Sequence, residues 1–143
     1  MIRERDEQLS KHFTLWEMMR SGTAVRLNIK NVPDEQEKEA LRQLCQHVLE
    51  PLRCRYGAII ITSGYRCLRL NRAVGGVPTS QHMRGEAADI FIPNLEMGRK
   101  YFDFIKNNTT FDQLIWEPRG ADVPRWLHVS YTTRRPNRMQ VLY

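Results

Sequence analysis

The chain has 143 residues, of which 41% are hydrophobic and 27% are charged, and its formal net charge is +6. This composition is typical of one globular domain, residues 1–143, and excludes a disordered or low-complexity chain. No apolar run approaches the roughly 18 residues of a membrane-spanning helix, so no membrane span is expected. Residues 1–9 are charged and lack an apolar core. We therefore expect synthesis in the cytoplasm without a secretory signal, and any action outside the cell requires another export route.

The first half of the chain is predicted to be mainly helical. Thr14 and Glu17 have the spacing of a capping box, which predicts a short helix over residues 15–20. Pro33 and the acidic residues after it favour the start of a long helix. The residues at helical spacing on its buried face are Leu41, Leu44, Cys45, Val48 and Leu52. Pro51 is expected to kink or break this helix before Gly57.

The second half is predicted to contain most of the strands. Residues 58–62 are almost wholly apolar, which predicts a buried central strand, followed by a short helix over residues 68–74. Residues 77–86 are predicted to be loop. Further strands are predicted at residues 87–92, 112–117, 126–132 and 139–142, with a helix over residues 95–107 capped by Asn94. This order favours an α+β fold with a central, mostly antiparallel sheet flanked by helices.

Two of these segments carry the residue types of a catalytic zinc site. Asp89 lies among apolar strand residues, where a carboxylate is costly to bury unless it is paired or bound to a metal. If the 87–92 and 126–132 strands are neighbours, His128 lies about 5 Å from Asp89. His82 can reach the same point from the preceding loop, helped by the backbone freedom of Gly85. Two imidazoles and one carboxylate are a usual ligand set for a catalytic zinc with an open fourth position.

The alternative interpretation is that these histidines are ordinary core or surface residues, which is more frequent for a single histidine. The apolar surroundings of Asp89 favour the zinc site over this alternative. The other two histidines, His12 and His47, have no such neighbour and are assigned to surface or helix positions.

The charge and the cysteines suggest fewer functions. A net charge of +6 favours an anionic partner, either nucleic acid or an anionic cell wall. The basic residues are scattered apart from Arg134, Arg135 and Arg138, and no nucleic-acid-binding motif accompanies them, so we expect no nucleic-acid partner. The three cysteines form no CxxC pair, which argues against a disulfide framework or a thiolate zinc cluster. A reactive role for Cys67 stays open.

The motif Ser80-x-His82-x-x-Gly85-x-Ala87-x-Asp89, followed by Trp126-x-His128-Val129-Ser130, resembles the signature of zinc D-Ala-D-Ala carboxypeptidases. Ser63-Gly64-Tyr65-Arg66 fits the same signature, and the opening Ser10-x-His12-Phe13-Thr14-Leu15-x-Glu17 resembles that of the small phage and prophage-type members. The likeness spans roughly residues 9–132. The resemblance implies a hedgehog/DD-peptidase-like fold and one Zn²⁺ held by His82, Asp89 and His128. It also implies hydrolysis of peptidoglycan stem peptides, and we expect the protein to be a monomer.

The same resemblance implies roles for residues around the zinc. Arg66 is expected to bind a substrate carboxylate or to stabilise the oxyanion, because a guanidinium matches two oxygens at once. Ser80 is expected to hydrogen-bond the substrate or to orient its own loop. Many relatives carry the general base three residues before the last histidine. That position is Arg125 here, and arginine cannot accept the proton.

The best candidate for the general base is Glu117, at the end of the predicted 112–117 strand, because the members that most resemble this chain carry a glutamate after a similar strand. Asp122 and Glu86 are the alternatives. The competing interpretation of Glu117 is a solvated carboxylate at the edge of a loop. The leading function is a zinc metallopeptidase of the D-Ala-D-Ala carboxypeptidase or murein endopeptidase type. The alternative is a non-catalytic, zinc-containing module of the same fold that binds the cell wall or belongs to a virion, which the arginine at position 125 keeps open.

Overall fold

The computed structural model describes residues 7–143 and has an α+β fold, as the sequence predicts. Residues 1–6, on which the expected lack of a secretory signal mostly depends, lie outside the described residues. The helices are α1 Leu15–Met19, α2 Gly22–Arg26, α3 Glu35–Leu44, α4 Glu50–Tyr56, α5 Leu68–Ala73 and α6 Leu95–Asn108. The strands are β1 Ile61–Ser63, β2 Ala87–Phe91, β3 Gln113–Glu117, β4 Trp126–Ser130 and β5 Gln140–Leu142.

The five strands form one sheet in the order β1-β2-β4-β3-β5. All neighbours are antiparallel except β3 and β5, which run parallel, so the prediction of a mostly antiparallel sheet is confirmed. The two faces of the sheet differ because side chains alternate along each strand. Ile90, Leu127, Val129 and Leu114 are buried in one apolar core with residues of α3, α4 and α6. The residues between them in sequence lie on the other face.

The prediction of a buried central strand at residues 58–62 is wrong. The strand is Ile61–Ser63, it lies at the edge of the sheet beside β2, and its register shifts at a bulge. Ile61 is buried but Ile60 is 53% exposed. A short apolar run therefore has one face in the core and one face in solvent here, and apolar content alone cannot distinguish this case from a strand covered on both sides.

The long predicted helix continues through Pro51 instead of ending there. A π-helical segment, Cys45–Leu49, joins α3 to α4, which reaches Tyr56. Pro51 lies in the first turn of α4, directly after this segment. Because proline has no N–H to donate and its ring crowds the preceding turn, a widened π turn just before it is a physically reasonable way to keep the helix continuous.

Most of the other predicted elements are confirmed within one or two residues. Thr14 and Asn94 cap α1 and α6 as predicted, and Thr14 forms a capping box with Glu17. The predicted 77–86 loop contains a 3₁₀ helix, Gln81–Arg84, and α2 was not predicted. Within the described residues, no helix is both long and apolar enough to cross a membrane.

Candidate active site

The backbone register places Asp89 and His128 side by side. In the β2–β4 ladder Asp89 pairs with His128, and in the β3–β4 ladder His128 pairs with Ile115. The three residues therefore form one row across the sheet, on the face opposite the apolar core. The predicted neighbourhood of the two strands is confirmed by this pairing.

His82 reaches the same row from the 3₁₀ helix that precedes β2. The hydroxyl of Ser80 caps this helix by accepting a hydrogen bond from the His82 backbone N–H at 3.2 Å. The helix ends at Gly85, whose φ of 74° is unfavourable for other residues. A Cβ atom at Gly85 would also collide with the carbonyl oxygen of Glu37, so glycine is required there for two independent reasons.

The orientation of the His82 ring is fixed by the backbone. Its Nδ1 lies 2.7 Å from the carbonyl oxygen of Gly64 and donates to it, since a carbonyl can only accept. The Arg66 N–H donates in turn to the His82 carbonyl at 3.0 Å. The lone pair of the neutral ring is therefore on Nε2, which faces Asp89. Ligand histidines at metal sites usually donate their second nitrogen in this way.

The donor atoms have the spacing of a tetrahedral zinc site. Oδ1 of Asp89 lies 3.3 Å from Nε2 of His82 and 3.1 Å from Nδ1 of His128. Bonds of about 2.0–2.1 Å at tetrahedral angles place neighbouring ligand atoms roughly 3.3 Å apart. The side chains of His82, Asp89 and His128 are 2%, 15% and 14% exposed, so the donors are largely shielded from solvent. These residues fit a single zinc ion.

The local electrostatics favour the protonation states that a metal needs. Burial lowers the pKa of His82 and outweighs the attraction of Asp89, which keeps the imidazole neutral. Burial also opposes ionisation of Asp89. The attraction of His82 and hydrogen bonds with both histidines outweigh it and hold the pKa of this carboxyl well below its usual range. A neutral imidazole and an ionised carboxylate are the forms that coordinate a cation.

The three donors open onto a cleft of about 800 Å³. Arg66, Ser80, Glu117 and Trp126 also line it. Glu117 is two residues beyond Ile115 on β3, so its side chain is on the same face as Asp89 and His128, one row away. The side chain of Arg66 is half buried, and its Nε has no hydrogen-bond partner among the described residues. The cleft thus contains a potential metal-binding site, the carboxylate of Glu117 and the guanidinium of Arg66.

Comparison with known families gives an independent result. A family model described as Peptidase M15 matches residues 11–130. The chain belongs to the peptidase M15 family. This is the family of zinc metallopeptidases that resemble D-Ala-D-Ala carboxypeptidases, as the sequence motifs indicate. A search of curated proteins found no match.

A second group of potential ligands in this M15 peptidase, His12, Glu50 and Cys54, has a different geometry. Nδ1 of His12 lies only 2.7 Å from Oε2 of Glu50, which is a hydrogen-bond distance and too short for neighbouring zinc ligands. Glu50 also accepts from the His12 backbone N–H and from the hydroxyl of Ser10, both at 2.6 Å. The group is therefore best described as a hydrogen-bonded cluster that holds the N-terminal segment on α4.

The structure separates the candidate bases. Glu86 is 3% exposed and its carboxylate is bound by Arg134, with N–O distances of 2.8 Å, and by the Thr132 hydroxyl. Asp122 is exposed and does not line the cleft. The side chain of Arg125 is exposed, and its backbone N–H donates to the Glu117 carbonyl. Among the three carboxylates proposed from the sequence, Glu117 alone lines the cleft.

The sequence missed a group of arginines at the cleft. Arg84, Arg134, Arg135 and Arg138 line it together with Arg66. From the sequence, Arg134, Arg135 and Arg138 were identified only as a basic cluster, with no expectation that they line the cleft. Their partners, Glu86 and the fully buried Asp112, are more than twenty residues away in sequence. The available signal was Asp112, an aspartate directly before a predicted strand, but the sequence does not show which residues pair with it.

Proposed function

We propose that this M15 peptidase is a zinc-dependent peptidoglycan hydrolase of the D-Ala-D-Ala carboxypeptidase or murein endopeptidase type. The observation that carries the proposal is the spacing of His82, Asp89 and His128 in a cleft that also contains a carboxylate. These three residues would hold one zinc ion, which supplies Lewis acidity to the scissile carbonyl and lowers the pKa of water to about 7.

Glu117 is proposed as the general base. Its carboxylate is on the same face as the zinc ligands, one row along the sheet, where it can take a proton from water and pass it to the leaving amine. Support comes from the elimination of the alternatives, because Glu86 is held by Arg134 and Asp122 is outside the cleft. The cis peptide bond between Glu117 and Pro118 lies at the end of the strand.

Arg66 is proposed to bind a substrate carboxylate or the oxyanion, supported by its unpartnered Nε in a half-buried position beside the cleft. A polar atom that is buried without a partner is costly, and a ligand oxygen would remove that cost. For Ser80 the capping bond to His82 supports the orienting role, while its place in the lining of the cleft leaves its hydroxyl near the substrate.

Digestion of purified muropeptides with a mass readout tests the proposal. We compare the wild type with His128→Ala, Glu117→Gln and a surface control, Glu96→Gln, whose side chain is on the exposed face of α6. We expect products from the wild type and the control only. Zinc is expected to be retained in Glu117→Gln and lost in His128→Ala.

Two results would change the assignment. Full activity of Glu117→Gln would remove Glu117 as the base. A wild type that binds zinc but releases no product from any muropeptide would instead support the non-catalytic wall-binding or virion module.

A further inference from the structure

The cleft carries more positive than negative charge. Among the described residues, five arginines and two carboxylates, Asp89 and Glu117, line it. Two further carboxylates, Glu86 and Asp112, lie behind the arginines that they bind. The arginines therefore still exceed all four carboxylates by one charge, and a bound divalent cation would increase the excess. Such a cleft favours an anionic ligand.

Most of this positive charge lies at one end of the sheet. Arg134 binds Glu86, which directly precedes β2, and Arg135 binds Asp112, which directly precedes β3. Glu117 is at the opposite end of β3. Two strand residues span roughly 7 Å, so the start of β3 is about that distance from the zinc row, on the side away from Glu117. Arg66 follows β1, which ends at the same end of the sheet but lies at its opposite edge, separated from β3 by β2 and β4.

Several guanidinium donors at this end are still available. Arg134 uses Nε and Nη2 on Glu86, and Arg135 uses both terminal nitrogens on Asp112. A guanidinium has five N–H donors, so the N–H groups on Nη1 of Arg134 and Nε of Arg135 are not used by any of the described residues. Arg84 is exposed and has no ion pair with any residue from 7 to 143. It is two residues before Glu86, the residue that Arg134 binds.

We propose that Arg84, Arg134 and Arg135 form a second anion subsite, which binds a free carboxylate of an acidic residue in the stem peptide. This inference rests on the proposed function and extends it. The substrate then carries two recognised anionic groups, one at Arg66 beside β1 and one at the three arginines near the starts of β2 and β3. A peptide that places an acidic residue about two positions from the scissile bond would fit this distance.

Two peptides that differ in one group test the subsite. They have the same stem sequence and the same scissile bond, but one has a free carboxylate on the acidic residue and the other a carboxamide. Binding to zinc-loaded Glu117→Gln is measured by calorimetry at low salt, which does not require turnover. We expect the carboxylate form to bind about tenfold more tightly, as charge-assisted hydrogen bonds imply.

The variants are made in the same Glu117→Gln background. Arg84→Gln and Arg134→Lys are expected to reduce the preference to threefold or less, while Arg99→Gln, on the exposed side of α6, keeps it. Arg134→Lys retains a charge for Glu86 but loses the planar fork. Because each protein is compared on both peptides, partial unfolding lowers both signals and leaves the ratio unchanged.

A ratio near one for zinc-loaded Glu117→Gln itself, or a ratio that neither further variant changes, would overturn the subsite. Hydrolysis by the wild type is followed separately. If binding shows the preference but no product forms, the subsite stands and the proposed hydrolysis fails.

Discussion

At the scale of single residues, backbone contacts determine how the three donors meet. The Gly64 carbonyl orients the His82 ring, and the strand register places Asp89 opposite His128. These contacts preorganise the donors before any ion arrives, so little reorganisation is needed on binding. Among residues 7–143, no hydrogen bond or ion pair holds the side chain of Glu117, the proposed general base, so its strand position sets its place.

Replacing Glu117 by glutamine should therefore separate chemistry from metal binding. We expect kcat to fall by roughly 10²–10⁴-fold, the usual contribution of a general base, with KM little changed. The measurement is steady-state hydrolysis of a muropeptide alongside the zinc content per chain. A zinc content that fell in parallel with kcat would show that Glu117 supports the metal instead.

Gly85→Ala should destabilise the fold by about 2 kcal/mol or more. Its φ of 74° disfavours alanine, and a Cβ would collide with the Glu37 carbonyl. Gly120→Ala is the matched control, because Gly120 has a similar φ of 78° but nothing within 4 Å of its Cβ position. Urea unfolding should give a smaller loss for the control, and equal losses would contradict the steric argument.

At the scale of elements, two buried carboxylates tie the segment after β4 to the sheet. Asp112, which is fully buried, binds the guanidinium groups of Arg135 and Arg138 at 2.7–3.1 Å. Glu86 binds Arg134 in the same bidentate way. The segment that carries these arginines therefore forms a fixed wall of the cleft.

Asp112→Asn should cost about 3 kcal/mol, since the change leaves two guanidinium groups without their buried counter-charge. Asp103→Asn, on the exposed side of α6, is expected to change stability by less than about 0.5 kcal/mol. Chemical unfolding of both variants measures the difference. A loss as small as that of the control would mean that the ion pairs do not hold this wall.

The same carboxylate makes stability depend on pH in the acid range. Burial opposes ionisation of Asp112, but hydrogen bonds from Arg135 and Arg138 outweigh it and hold its pKa well below the usual range. A group with a depressed native pKa stabilises the fold above its unfolded pKa of about 4 and loses that contribution as the pH falls further. The wild type should therefore lose more unfolding free energy than Asp112→Asn between about pH 5 and pH 2.

At the scale of the whole molecule, the sequence predicted the α+β class and most elements, because alternation and capping are local signals. The sequence predicted that Asp89 and His128 lie close together only on the assumption that their two strands are neighbours in the sheet. The edge position of β1 depends on tertiary contacts that no local pattern encodes. The same is true of the ion pairs that Arg134 forms with Glu86 and that Asp112 forms with Arg135 and Arg138. One apolar core joins the sheet to α3, α4 and α6, which supports our proposal of a single domain.

Zinc should also stabilise the whole fold, because the native state alone presents all three donors at one point. At a free zinc concentration a hundred times the dissociation constant, the gain is about 2.7 kcal/mol, or on the order of 10 °C in Tm. Calorimetric melts of chelated and zinc-loaded protein measure it, with His128→Ala as the control that should not respond.

The most direct test of the zinc site is anomalous scattering from zinc-loaded crystals at the zinc edge. We expect one strong peak about 2.0–2.2 Å from Nε2 of His82, an oxygen of Asp89 and Nδ1 of His128, with solvent completing the coordination. A peak at another place, such as beside His12, or a fourth ligand from the protein, would contradict the catalytic centre described above.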